Sequence, residues 1–77
     1  MTYEQLAGWM KQQGYQRLTE PIFMASDLAA EVWRLTREPW EWVGMVVYDE
    51  RDPSTPRVYV NGEDRTHIPA RAFRSAG

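Results

Sequence analysis

The chain contains no cysteine, so neither a disulfide framework nor a thiolate metal site is open to it. Its single histidine, His67, has no second histidine beside it, and metal-ligand spacing is absent. No HExxH, no G-x-S-x-G elbow and no glycine-rich phosphate loop occurs, and the five glycines are scattered. Asp49, Glu50 and Asp52 cluster, but the glycine and distal glutamate of a calcium loop are missing. Apolar runs fall far short of the ~20 residues that span a bilayer, so no membrane partner is expected. No basic segment precedes an apolar stretch, so the expectation is a cytoplasmic chain without a secretory leader. Together these absences point away from an enzyme and from any cofactor.

The length of 77 residues predicts one small α+β domain over residues 1–77. A chain of this size buries only about 60% of its unfolded surface, so the core is small. Hydrophobic residues at 43% and charged residues at 26% are normal for a folded domain and argue against disorder. Two biases stand out. There are four tryptophans, and of nine cations only Lys11 is a lysine. Tryptophan fills small cores, but Trp, Tyr and Arg are also enriched at binding hot spots. The net charge of −2 is an average. Residues 1–33 and 34–56 are each acidic, and residues 57–77 are basic through Arg57, Arg65, Arg71 and Arg74.

Thr2 and Gln5 have capping-box spacing. Tyr3, Leu6 and Met10 recur on one helical face, and Gly14 suits a left-handed C-terminal position. The spacing predicts a helix from about Tyr3 to Gln13. Tyr15 to Met24 reads either as a short helix opened by Thr19-Glu20-Pro21 or as an extended core segment through Ile22-Phe23-Met24. Ser26 can cap a second helix whose stripe is Leu28, Val32 and Leu35, ending near Arg37 before Pro39.

The period then changes. Trp40 to Tyr48 alternates, with Trp40, Trp42, Val46 and Tyr48 on one strand face and Val43, Met45 and Val47 on the other. Asp49 to Pro56 reads as a polar loop and Arg57 to Val60 as a strand. Asn61-Gly62 is a type I′ hairpin signal. Glu63 to Ile68 reads as a third strand stopped by Pro69. The tail from about residue 70 is expected to fray or to make one helical turn around Phe73. The expected fold is therefore α+β, with two main N-terminal helices followed by an antiparallel β-hairpin or three-stranded meander.

Two partner readings follow. The stretch Ala29-Ala30-Glu31-Val32-Trp33-Arg34-Leu35-Thr36, with Trp40 and Val43, follows helix-turn-helix apolar spacing. The run from Gly44 to Pro53, closed by Arg57-Val58-Tyr59-Val60, matches a strand–wing–strand. Over about residues 3 to 60 the chain resembles winged helix-turn-helix DNA-binding proteins. That resemblance implies a winged-helix-like fold and transcriptional control through DNA. Arg34 and Arg37 would then approach a major groove, and Arg51 or Arg57 would touch phosphates.

The second reading is a protein-interaction module. Trp33, Arg34, Arg37, Trp40 and Trp42 are close in sequence, and Trp33 or Trp40 stacked with arginine would make an anchor. The partner would be a larger protein, with the chain a small regulator or inhibitor of the kind phages and mobile elements encode, or a second copy in a homodimer. Asp27 and Glu31, on the exposed face of the expected second helix, would repel phosphates there; DNA-binding control is the leading reading and protein docking the alternative.

Overall fold

Thr2 and Gln5 close a reciprocal cap at the start of α1 (Tyr3–Gln12). The Gln5 N–H donates to Thr2 Oγ1 at 3.2 Å and the Thr2 N–H donates to Gln5 Oε1 at 2.8 Å. At the other end Gly14 adopts φ +99°. The N–H groups of Gly14 and Tyr15 donate back to the carbonyls of Lys11 and Met10, each at 3.0 Å. This is the paired bonding of a Schellman stop, and Tyr15 and Met10 meet in the core as the motif requires. The first helix thus forms where the spacing predicted it. The computed structural model describes the backbone of residues 1–25 and 27–75, and every side chain among them except those at 53, 54 and 75.

The expected second helix is a strand. After β1 (Gln16–Arg17) and β2 (Ile22–Phe23), residues Leu28–Arg37 form β3, followed by β4 (Trp40–Asp49), β5 (Asp52–Val60), β6 (Glu63–Asp64) and α2 (His67–Ser75). The stripe Leu28, Val32 and Leu35 fits a helical period, but Ala29, Glu31, Trp33 and Leu35 also alternate, and it is their side that meets α1. Long-range pairing decided between the two and overrode local preference, since seven of the ten residues are Ala, Leu, Glu or Arg, all good helix formers. The N-cap assigned to Ser26 lies outside the described residues.

Among the described residues the sheet has six strands in the order β1-β3-β4-β5-β6, all antiparallel, with β2 pairing further along the β1 edge of β3. This overturns the winged-helix-like arrangement of two helices and a three-stranded meander. The protein is α+β, with an N-terminal helix, a broad antiparallel sheet and a C-terminal helix.

Three further expectations are corrected. Asp49 to Pro56 is not a polar loop: Glu50 and Arg51 alone join β4 to β5, and Asp52 already pairs with Asp49. The pairing register shifts between Val47 and Asp49, opposite the Pro53–Pro56 stretch. The expected Glu63 to Ile68 strand stops at Asp64. Pro69 does not end a strand but sits in the first turn of α2, where its missing N–H costs nothing; the Thr66 carbonyl accepts the opening helical bond from Ala70 at 3.2 Å. The tail is helical to Ser75, and residues 76 and 77 lie outside the described residues. The Asn61-Gly62 turn forms as read, with φ of +50° and +85° between Val60 and Glu63.

Helix α1 lies on one face of the sheet. Leu6, Met10, Tyr15, Trp33, Val46 and Val58 form the core. Gly44 lets that layer close, because a Cβ there would stand 3.0 Å from the Met10 methyl. Helix α2 returns on the same side, where Ile68 lines a groove with Trp9 and Trp42. The opposite face carries neither helix. The molecule measures 38 × 32 × 19 Å, and its least dimension is that of one helix layer on one sheet.

Candidate functional site

Register assigns each strand residue to a face. Val32 pairs with Met45, and Met45 pairs with Tyr59; Ala30 pairs with Val47 and with Ile22; Val43 pairs with Arg34. All of these point away from the helices. A sheet with one wet face alternates apolar-in and polar-out. Here the outward positions of the central strands are instead branched or apolar. Val43 is 45% exposed and Met45 38% exposed, and no helix or loop of the described chain covers them. The patch runs on into β2, where Ile22 and, just beyond the strand, Met24 stand exposed at the edge of the sheet, while the exposed Phe23 pairs with Ala29 and faces the helix side. Ile22-Phe23-Met24 is thus extended, as one of the two readings held, but it is surface rather than core.

The border of this face is charged, and its arginines Arg34, Arg57 and Arg51 are each matched to an acid. Arg34 Nε lies 3.7 Å from Glu41, and Arg57 Nη1 lies 3.4 Å from Asp64. At the end where β4 turns into β5, Arg51 Nε meets Asp27 at 2.8 Å. Asp64 also accepts from the Thr66 hydroxyl at 2.6 Å and from its N–H at 2.9 Å. These bonds, first the hydroxyl and then the N–H, hold its carboxyl below the usual range, with Arg57 adding to them.

The helix-covered face holds a different feature. Glu31 is fully buried, yet its carboxylate accepts three kinds of donor. The Tyr3 hydroxyl reaches its two oxygens at 2.6 and 2.7 Å, Trp33 Nε1 donates at 3.2 Å, and Arg17 Nη1 donates at 3.1 Å. Tyr48 stacks on Tyr3 with ring centroids 4.3 Å apart. Burial, then the bond to Glu31 and its charge, raise the Tyr3 hydroxyl well above the usual tyrosine range. The bond to Glu31 likewise raises Arg17. With its donors in place, this buried charge is satisfied rather than poised for chemistry.

The six residues singled out from the sequence are not brought together. Trp33 is 1% exposed and donates to Glu31 inside the core; as a partner anchor it is corrected, because its inward register hides the indole under α1. Trp40 is 66% exposed at the start of β4. Trp42, on the same strand face, packs against the core. Arg37 donates to the Gln13 carbonyl at 3.3 Å, tying the end of β3 to the end of α1. Arg34 and Arg57 border the outward face, while Arg51 lies at the β4–β5 turn. These arginines come from the interiors of β3 and β5, the end of β3 and a turn, not from one recognition helix.

No protein family, curated protein or solved structure compared with the chain matches it. Among the described residues, no group of three or more His, Cys, Asp or Glu side chains is placed to hold a metal ion, and no helix is long and apolar enough to cross a membrane. A groove of about 330 Å³ is lined by Trp9, Tyr15, Trp42, Val58, Val60 and Ile68, with Glu63 and Arg65 paired at its rim. It lies on the helix side and is separate from the open face.

Sequence reasoning missed Val43, Met45, Val47 and Ile22 as surface residues. A signal was present. The run Trp40 to Tyr48 is apolar on both parities, which is how strands buried on two faces read.

Proposed function

We propose that this protein is a non-enzymatic protein-interaction domain that docks through the outward face of its sheet. The observation that carries the reading is the exposed apolar surface of Val43, Met45 and Ile22 at outward positions where water-facing residues would normally stand. Contiguous apolar surface with a polar border is the mark of a protein-binding site. The nucleic-acid reading depended on a winged-helix arrangement that this fold lacks. Its arginines Arg34, Arg51 and Arg57 are each matched to a carboxylate, and releasing them to phosphates would leave those acids facing the same polyanion. A catalytic reading has no constellation of groups to stand on.

The test is the size of the protein in an extract of cells that make it, followed by gel filtration and immunodetection. The native protein is expected to migrate as a complex. The Val43→Glu, Met45→Glu double variant should migrate as a single chain, and Trp40→Ala should migrate as the native protein does. A native protein that already runs as a single chain, or a complex that survives the double variant, refutes the proposal.

A further inference from the structure

We infer that the outward sheet face is an interface with a second copy of this chain, the two sheets stacked face to face and the helices of both copies outermost. The inference rests on the docking reading above and names its partner.

Charge is the first ground. A two-fold contact sets each surface against its own image. A border of one sign would repel itself. Here most border charges come in opposite pairs within the chain, Arg34 with Glu41 and Arg57 with Asp64, with Asp49 a further acid at the β4–β5 end. The same arrangement gives a strongly acidic or basic partner little to recognise. A second copy, by contrast, presents the same mixed-sign border and an equally apolar centre.

Area is the second ground. Three long strands about 4.8 Å apart and near 30 Å long, with two-residue strands at their flanks, give a face of about 500 Å². Two such faces bury about 1,000 Å², the lower end of what a specific interface needs. The molecular extents of 38 × 32 Å accommodate that patch. The residues suit sheet-on-sheet packing: Ala30 is small, and Val32, Val43 and Val47 are stiff and branched. Stacked sheets of this kind cross at about 30° and sit about 10 Å apart. A second layer would also relieve the shortage of core that a single chain of this length carries.

Sedimentation equilibrium of the purified full chain across a concentration series decides the question. The expected result is twice the chain mass, with Met45→Glu, between Val32 and Tyr59, raising the dimer dissociation constant at least about a hundredfold, since it buries an unpaired charge at the centre. Because the sequence has no cysteine, a single introduced thiol can link only to another copy. Met45→Cys should form a covalent dimer under mild oxidation, and Lys11→Cys, on α1, should do so far more slowly. A purified chain that stays monomeric while the complex in extract still collapses on Val43→Glu, Met45→Glu overturns the second copy and leaves docking on a different protein standing. Monomer in both settings overturns both. A dimer that crosslinks equally well from Lys11→Cys and survives Met45→Glu places the contact elsewhere and overturns the inference.

Discussion

Replacing Glu31 by glutamine keeps the side chain's shape and removes its charge. In the structure this carboxylate serves Tyr3, Trp33 and Arg17 at 2.6 to 3.2 Å with no exposure to water. An amide offers one acceptor oxygen and turns a donor toward one of those three. If the oxygen stays with Trp33, the amide N–H faces the Arg17 guanidinium. If it stays with Arg17, the buried indole N–H loses its acceptor. A hydrogen bond to a charged group contributes about 1.5–3 kcal/mol, and a stranded buried donor costs about 1–3 kcal/mol, so Glu31→Gln should cost about 2–4 kcal/mol.

A domain of 77 residues has about 4–12 kcal/mol in all, and the loss should lower Tm by about 10–25 °C. Urea unfolding followed by tryptophan fluorescence measures it. The midpoint should fall with an unchanged slope, because the surface exposed on unfolding is the same. A cycle with Tyr3→Phe should show coupling of about 1–2 kcal/mol, since the two side chains share a bond. A Glu31→Gln protein within about 0.5 kcal/mol of the native one, a value typical of surface changes, would show that the carboxylate does not organise this part of the core.

Other outcomes follow from the same contacts. Tyr3 keeps its proton in the fold at pH values where an unfolded tyrosine releases it, so its contribution is complete below about pH 10 and is lost as pH rises beyond that; alkaline unfolding followed by tyrosinate absorbance should be shallower in Tyr3→Phe. Asp64 runs the other way: its lowered carboxyl supports the fold at neutral pH and that support is lost on acidification, so Asp64→Asn should flatten the acid limb of a stability profile. Trp33→Ala should cost about 3–5 kcal/mol by denaturation, whereas the exposed Trp40→Ala should stay within about 0.5 kcal/mol. Gly62→Ala meets no neighbour but forces a Cβ onto φ +85°, and should cost about 1–2 kcal/mol in the same assay.

What could be read from the sequence was mostly local. Thr2, Gln5 and Gly14 announce the first helix because caps are short-range chemistry. Asn61-Gly62 announces its turn for the same reason. Trp40 to Tyr48 reads as a strand because six of its nine residues are tryptophan, tyrosine or valine. The failure at Leu28–Arg37 has a nameable cause. Glu31 is a charged residue at an inward position, so it breaks the apolar alternation that would have marked β3. Its donors come from α1, from β1 and from two residues along its own strand, and sequence spacing does not show that Tyr3 and Arg17 converge on it. The same misreading made Trp33 an exposed anchor. The open face was hidden differently: whether Val43 and Met45 are covered depends on where both helices pack, and periodicity is silent on that.

The order of the strands sets the order in which the chain can fold. Among the described residues β3, β4, β5 and β6 each pair with their neighbour in sequence across two-residue turns, and such local pairings lose little entropy on closure. Leu6 and Met10 have no such local option, for the Val46 and Val58 side chains beneath them lie on β4 and β5. During synthesis α1 therefore waits on strands made well after it: its caps can hold a nascent helix, but its apolar side stays wet until residue 58 has been added.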